Sequence, residues 1–367
     1  MQAVRRVAGL LAVLVCVLAL AGVPASASTR ETQLQADAFQ VPVPAVPFRD
    51  AVIDRPSQAM ARTLASSSHA RIPVNDGQGR SAEIDVSTLC QVSCTNASPT
   101  DVQNLANFLG SLVHGDEMNS VVINVVAPAE IATQCGPGAL SCYFPSTDLI
   151  VLNGNDSTAS DGATRDYVLA HEYGHHVANH RHNPPFDDPA INWGPKNWAT
   201  YERVCEGVRS GVYFPGSETL PTYYSNPGEA WAEAFAEHRL PGIVGWEWNP
   251  SLEPDANAFH AMDRDVLQPW NGPTRTVVKG RLGAGHRRVI KSIPTPLDGT
   301  LTLKLRGARK SDFDLLLRDS SDRTLAASTG LGSRESVTHT VCGEANLRAV
   351  VKRMTGGGRF RLVELVP

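Results

Sequence analysis

The sequence has no Cys-x-x-Cys pair, and beyond its first residues it has no long apolar run. The first absence removes the cysteine-paired zinc ribbons and knuckles. The second leaves nothing near the roughly 18 apolar residues that a membrane span needs, so no span is expected in the mature chain. Charge is also modest, with 19% Asp, Glu, Lys and Arg and a net charge of -4. Such a balance excludes a uniformly basic nucleic-acid-binding body, and no nucleic-acid partner is expected. What is present is 42% apolar residues with 30 Gly and 25 Pro, the composition of a loop-rich globular chain. At 367 residues it is long enough for two domains of roughly 150 residues each.

Arg5 and Arg6 precede an apolar run from Val7 to Val23, and Ala25, Ser26 and Ala27 follow it. That is the order of a secretory signal peptide over residues 1–27, so a secreted, extracellular protein is expected. Cys16 lies inside the run after Val15, not after the small residue that precedes a lipid-modified cysteine. The cysteines that remain are Cys90, Cys94, Cys135, Cys142, Cys205 and Cys342. Their even number in an oxidising compartment predicts three disulfides. Spacing does not fix the connectivity. Cys135 and Cys142 can close a small loop around Gly136-Pro137-Gly138, Cys90 and Cys94 can pair locally, and Cys205 and Cys342 are then left over.

Residues 28–70 read as a linker or pro-segment, Ala-, Ser- and Pro-bearing with little periodicity. Residues 71–271 carry the helical and buried-strand patterns. Ser98 or Thr100 can cap a helix bearing Val102, Leu105, Leu109 and Leu112. Val121 to Val126 and Leu149 to Leu152 read as buried strands. Helices are expected from Thr164 to Asn179, from Lys196 to Ser210, and opening at Asn226-Pro227. All six tryptophans fall between Trp193 and Trp270, marking one aromatic-bearing core. From 275 to 367 the period changes: Leu301, Leu303 and Leu305 alternate with Thr302, Lys304 and Arg306, as in a half-buried strand. A small all-β sandwich is the expected end of the chain. The charge divides at the same place, with 18 Lys and Arg against 8 Asp and Glu in residues 272–367. Two uses fit that asymmetry: docking on the acidic body, or holding an anionic surface or glycan.

The chemistry concentrates in Ala170-His171-Glu172-Tyr173-Gly174-His175-His176. Histidines one helical turn apart leave one face, so His171 and His175 can bind one Zn²⁺ while Glu172 serves as general base toward a water there. With 11 histidines in the chain, a chance HExxH has a probability on the order of one in a hundred. Gly174 costs roughly 1 kcal/mol inside a helix, which a close neighbouring helix or a substrate would explain. A third ligand is needed. The long form HExxHxxGxxH is absent, because Ala178 and Arg181 occupy the last two defining positions; His180 and His182 flank Arg181 and read as solvated, with reach to the metal as their other reading if the helix ends early. The alternative source is Asn226-Pro227-Gly228-Glu229-Ala230-Trp231-Ala232-Glu233, where Glu229 and Glu233 share a helix face. Glu229 is the expected ligand. If it instead closes a capping box with Asn226, Glu233 takes that place.

HEYGH followed by NPGEAWAEAF resembles the gluzincins, zinc peptidases with a downstream glutamate ligand, and is similar to their lethal-factor-like branch. The resemblance implies an α+β zincin-like catalytic domain, built from a small sheet, an HExxH helix and a Glu-bearing helix. It also implies His171, His175 and Glu229 as ligands, Glu172 as general base, and Glu233 as the carboxylate orienting a ligand imidazole. An oxyanion-polarising tyrosine in that branch points to Tyr223 or Tyr224, and packing at the helix entry is their other reading. The expected activity is that of a secreted zinc endopeptidase whose peptide substrate lies along the strand near Leu149 to Leu152. The alternative is a secreted surface- or glycan-binding protein on an inactive zincin scaffold, which has no need of Glu172. In the tail, Asp312-Phe313-Asp314-Leu315-Leu316-Leu317 and Gly358-Arg359-Phe360-Arg361-Leu362 resemble the bacterial pre-peptidase C-terminal domain. That resemblance implies Ca²⁺ at Asp312, Asp314, Asp319 and Asp322, for which turn and surface roles are the alternative.

Overall fold

The computed structural model describes residues 70–155 and 162–367. The expected signal peptide and residues 28–69 lie outside the described residues. The described chain is mixed helix and sheet, followed by the paired sheets of an all-β sandwich.

The first elements are β1 (Arg71–Pro73), β2 (Ser81–Val86), α1 (Thr88–Ser93), α2 (Pro99–Ser111), β3 (Val122–Val126), α3 (Pro128–Gln134), β4 (Ser141–Phe144) and β5 (Leu149–Asn153). Ser98 caps α2, Pro99 takes the first helical position, and the Asp101 carboxylate bonds back to the Ser98 amide. This box satisfies orphan N–H groups and turns Leu105 and Leu109 into the core. The strands run in the order β1-β2-β3-β5-β4, with β2, β3 and β5 parallel and an antiparallel strand at each edge.

The unbroken apolar stretch of β5 follows from burial on both faces. Ile150 and Leu152 join the main core with Ile123 and Leu169, while Leu149 and Val151 pack with Ile131 and Phe144 on the other side. The expectation that a substrate lies along this strand is corrected here. Val151 pairs with Asn124 on one side and Cys142 on the other, so both edges of β5 are occupied and β4 is the edge strand.

The helical part continues with α4 (Arg165–Asn179), α5 (Lys196–Tyr201), α6 (Val204–Arg209), α7 (Pro227–Arg239) and α8 (Ala256–Leu267). The single helix expected from Lys196 to Ser210 is two, broken at Arg203, whose φ of 56° is left-handed. The start of α5 is capped from a distance: the Asp265 carboxylate of α8 accepts from the Asn197 and Trp198 amides at 2.9 and 2.8 Å. Gly174 marks a close helix approach. A Cβ there would stand 2.9 Å from Ala232 Cα and 3.1 Å from Phe235 Cβ. Trp231 fastens the same crossing by donating its indole N–H to the Gly174 carbonyl at 2.8 Å.

The sandwich comprises β6 (Thr274–Leu282), β7 (Arg288–Thr295), β8 (Gly299–Gly307), β9 (Asp312–Arg318), β10 (Thr324–Ser328), β11 (Arg334–Val341), β12 (Ala345–Thr355) and β13 (Gly358–Val366). Two antiparallel sheets, β10-β9-β12-β7 and β11-β8-β13-β6, enclose Leu301, Leu303, Leu305, Phe313, Leu315, Val351 and Phe360.

Among the described residues three disulfides form: Cys90–Cys94, Cys135–Cys142 and Cys205–Cys342. The third joins α6 to the turn after β11, across 137 residues of sequence. Beside it, the Asp298 amide donates to Thr200 Oγ1 at 3.0 Å, and the Gly343 amide donates to the Asp298 carboxylate. Lys196, also buried at this junction, donates to the Pro184 carbonyl at 2.6 Å and lies 4.9 Å from the Trp270 ring centre. Burial pushes the Lys196 amine down to about 8, against the pull of Asp298 and Asp265. Burial likewise pushes the Asp298 carboxyl up to about 7, against the hydrogen bond from Gly343.

Candidate metal centre

Two helices meet face to face to build the centre. Thr164 caps α4 by accepting from the Tyr167 amide, which starts the helix so that His171 and His175 leave it on the side facing α7. Asn226 caps α7 by accepting from the Gly228 amide, with Pro227 in the first position. No capping box with Glu229 forms at this end. Its carboxylate turns to the histidines instead: Glu229 Oε2 stands 3.5 Å from His171 Nε2 and 3.5 Å from His175 Nε2. One ligand atom from each of the three residues falls within 4.8 Å of the others.

These separations fit a shared cation. Tetrahedral bonds of about 2.1 Å place neighbouring donors about 3.4 Å apart. All three side chains are buried, and Glu229 Oε1 has no hydrogen-bond partner among the described residues. A buried carboxylate in that state is costly unless a cation faces it. Two imidazole nitrogens and a carboxylate oxygen suit a divalent transition metal.

Around the three, other side chains fix their orientation. Glu233 Oε2 lies 3.0 Å from His171 Nδ1, and Glu233 Oε1 accepts from the Tyr167 hydroxyl at 2.6 Å. A carboxylate on the outer nitrogen sets the tautomer that leaves Nε2 free to bind a metal. The two imidazole rings stand edge to face, 5.0 Å apart. Trp248 lies 6.0 Å from the His171 ring and packs against both Tyr223 and Tyr224. The Tyr223 hydroxyl donates to Glu229 Oε2 at 3.4 Å, whereas Tyr224 is packed beside Trp248 at the helix entry. Glu172 is also buried, one position after His171 on α4.

The sequence reading missed Tyr167 and Trp248, whose roles depend on contacts 66 and 77 residues away. It also missed a second group, at the end of the same helix and the turn before β5. Asp148, His176 and His180 bring one ligand atom each within 4.8 Å. Asp148 Oδ1 accepts from Tyr143, Asn179 and His180 at 3.0, 3.2 and 3.0 Å. Burial alone would raise the Asp148 carboxyl, but hydrogen bonds from His176 and His180 hold it well below the usual carboxylate range. His180 is therefore not the solvated residue expected from the sequence; its i, i+4 spacing from His176 was the overlooked signal. His182 is exposed and pairs with Asp188 at 2.5 Å.

The four aspartates expected to hold Ca²⁺ do not gather into one donor group among the described residues. Asp312 accepts from the Gly332 amide, Asp319 closes a turn onto Ser321 and Arg323, and Asp322 pairs with Arg318.

No family model matches the chain, and no curated protein matches it in sequence. Among solved structures, it is similar to the pre-peptidase C-terminal domain of a collagenase from Bacillus anthracis, at 16% identity and a TM-score of 0.23. That likeness covers 24% of this chain and 88% of the other. A periplasmic inhibitor of g-type lysozyme from Aeromonas hydrophila, PliG, matches at 11% identity and a TM-score of 0.18, over 26% of this chain and 89% of its own. The SPBc2 prophage-derived protein YomS matches at 14% and 0.16, over 26% and 96%. With TM-scores this low, they establish neither kinship nor function for this chain.

Proposed function

We propose that the protein is a zinc-dependent endopeptidase, with His171, His175 and Glu229 as ligands and Glu172 as general base. The single observation that carries this reading is the convergence of two helix-borne imidazoles and a carboxylate, 3.5 Å apart, in a motif that also contains Glu172. His171, His175 and Glu229 would hold the zinc, which when bound would supply Lewis-acid chemistry, acidifying a water and polarising a carbonyl. Glu172 takes the proton of the attacking water and delivers it to the departing amine. Glu233 holds His171 in the binding tautomer. Tyr223, whose hydroxyl already reaches Glu229, donates to the oxygen that becomes negative as the peptide carbonyl is attacked. The catalytic domain is assigned to residues 71–271, of the zincin-like class, and the sandwich to residues 275–367. Three disulfides are compatible with an oxidising, extracellular setting, and no helix among the described residues is long and apolar enough to cross a membrane.

The test is metal analysis of the purified protein together with casein hydrolysis, with and without a chelator. Near one zinc per chain and chelator-sensitive hydrolysis are expected. Glu172→Gln should keep the zinc and lower hydrolysis by at least about a thousandfold, since the base is lost and the ligands are not. Hydrolysis that survives both chelation and Glu172→Gln would sink the reading.

A further inference from the structure

We propose that the outer face of the sheet β11-β8-β13-β6 binds a linear polyanionic glycan. Strand register carries the inference. Arg334 pairs with Arg306, Arg306 with Arg361, and Arg361 with Lys279, so one row crosses all four strands with a cation at every step. At a strand spacing of about 4.8 Å, that row is about 14 Å long. Arg359 stands opposite Arg281 in a flanking row, and Lys304 projects on the other side. Arg275 adds an eighth outward cation nearer the body. The two acidic residues of these strands, Glu335 and Glu364, are buried on the inner face, so no outward position is acidic.

The opposite sheet mixes both signs. There Arg318, Arg348 and, in the turn before β10, Arg323 are ion-paired with Asp319 or Asp322, and Lys352, although opposite Arg288, also stands opposite Asp314. On the outer face of β11-β8-β13-β6, no ion pair is formed by any of the eight cations among the described residues. Like charges directly opposite each other destabilise a sheet. A row of four retained at that cost points to an anionic partner.

The acidic body is not that partner. Its junction with the sandwich is built at the other end of β8, from Cys205–Cys342, Lys196 and Asp298. Arg306 lies seven residues further along the strand, roughly 23 Å away. Six of the eight cations are arginines, whose planar fork grips sulfate, phosphate or carboxylate by two hydrogen bonds. Thr302, Thr338 and Ser336 supply hydroxyls between them. No outward aromatic offers a stacking platform for bases, and none of the exposed large apolar residues lies on this face to enter a bilayer.

Binding of the full-length protein to immobilised dextran sulfate tests this independently of hydrolysis, with uncharged dextran, duplex DNA and anionic phospholipid vesicles as comparators. Wild type should be retained on dextran sulfate at low salt and released as salt rises. Arg306→Gln with Arg361→Gln should weaken binding roughly 30-fold, two cations at the strength typical of basic residues near an anionic surface. Arg318→Gln with Arg323→Gln, on the opposite sheet, should change it by less than about twofold. Thermal melts should place the Arg306/Arg361 variant at or above wild type, because a like-charge pair is relieved. Lys279→Gln with Arg281→Gln, on the edge strand, should weaken binding in the same direction should the first pair misfold. Equal loss from both sheets, or no retention of wild type, overturns the site. Tighter binding to DNA or vesicles than to dextran sulfate overturns the glycan.

Discussion

Glu233 is the residue on which the geometry of the centre is most finely balanced. It touches no proposed open position, yet it holds the His171 imidazole from behind and is itself held by Tyr167. Glu233→Gln keeps the size and loses the charge, so zinc should bind about tenfold more weakly while the fold survives. Competition with a chelator of known affinity reads this directly; unchanged affinity would leave Glu233 a packing residue only. The choice between Glu229 and Glu233 was open in the sequence because both sit on one helix face. In three dimensions Glu229 is the one beside both Nε2 atoms: the Asn226 amide donates to the Tyr223 carbonyl at 2.9 Å and so does not hold the Glu229 carboxylate in a capping box.

At the level of elements, the candidate centre exists because α4 and α7 approach closely enough for His171, His175 and Glu229 to bring ligand atoms within 4.8 Å of one another. Gly174 permits that approach. Gly174→Ala gains about 1 kcal/mol of helix propensity but meets Ala232 and Phe235, and such overpacking costs about 1–3 kcal/mol. The variant should therefore melt no higher than wild type and bind zinc more weakly, because widening the crossing pulls Glu229 from the two histidines. A higher melting temperature with unchanged zinc affinity would show that the helices have room. The sequence marked Gly174 as needing a neighbour without naming it. Similarly, it marked Leu149–Leu152 as buried, but only the pairing of β5 on both sides reveals that this strand has no edge to offer.

For the molecule as a whole, the junction between the helical body and the sandwich carries a pH dependence. Asp298, pushed up to about 7 by burial, keeps its proton in the folded protein over a range where the unfolded chain has lost it. The folded state then binds more protons than the unfolded state, so this group's contribution to stability falls as pH rises from about 4 to about 7. Asp298→Asn retains an acceptor for the Gly343 amide and removes the titration. Thermal melts across that range should show the variant gaining on wild type as pH rises, and parallel curves would exclude Asp298 as the source. Asp265, pushed up to about 6 by burial, contributes a slope of the same sign below that value and remains in both proteins.

The sequence by itself determined the periodicities, the helix cap at Asn226, the choice of Ser98 or Thr100 as another, the helix opening near Thr164, the HExxH pair, and the change to strand alternation after residue 275. Each of these is written within a few neighbouring residues, where backbone geometry and local hydrogen bonding decide. The tertiary structure decided which glutamate faces the histidines, which strand is an edge, where α5 is capped, and which face of the sandwich carries a row of cations with no acidic residue among them. Those outcomes depend on groups brought together across tens of residues by burial and strand pairing, and no local pattern contains them.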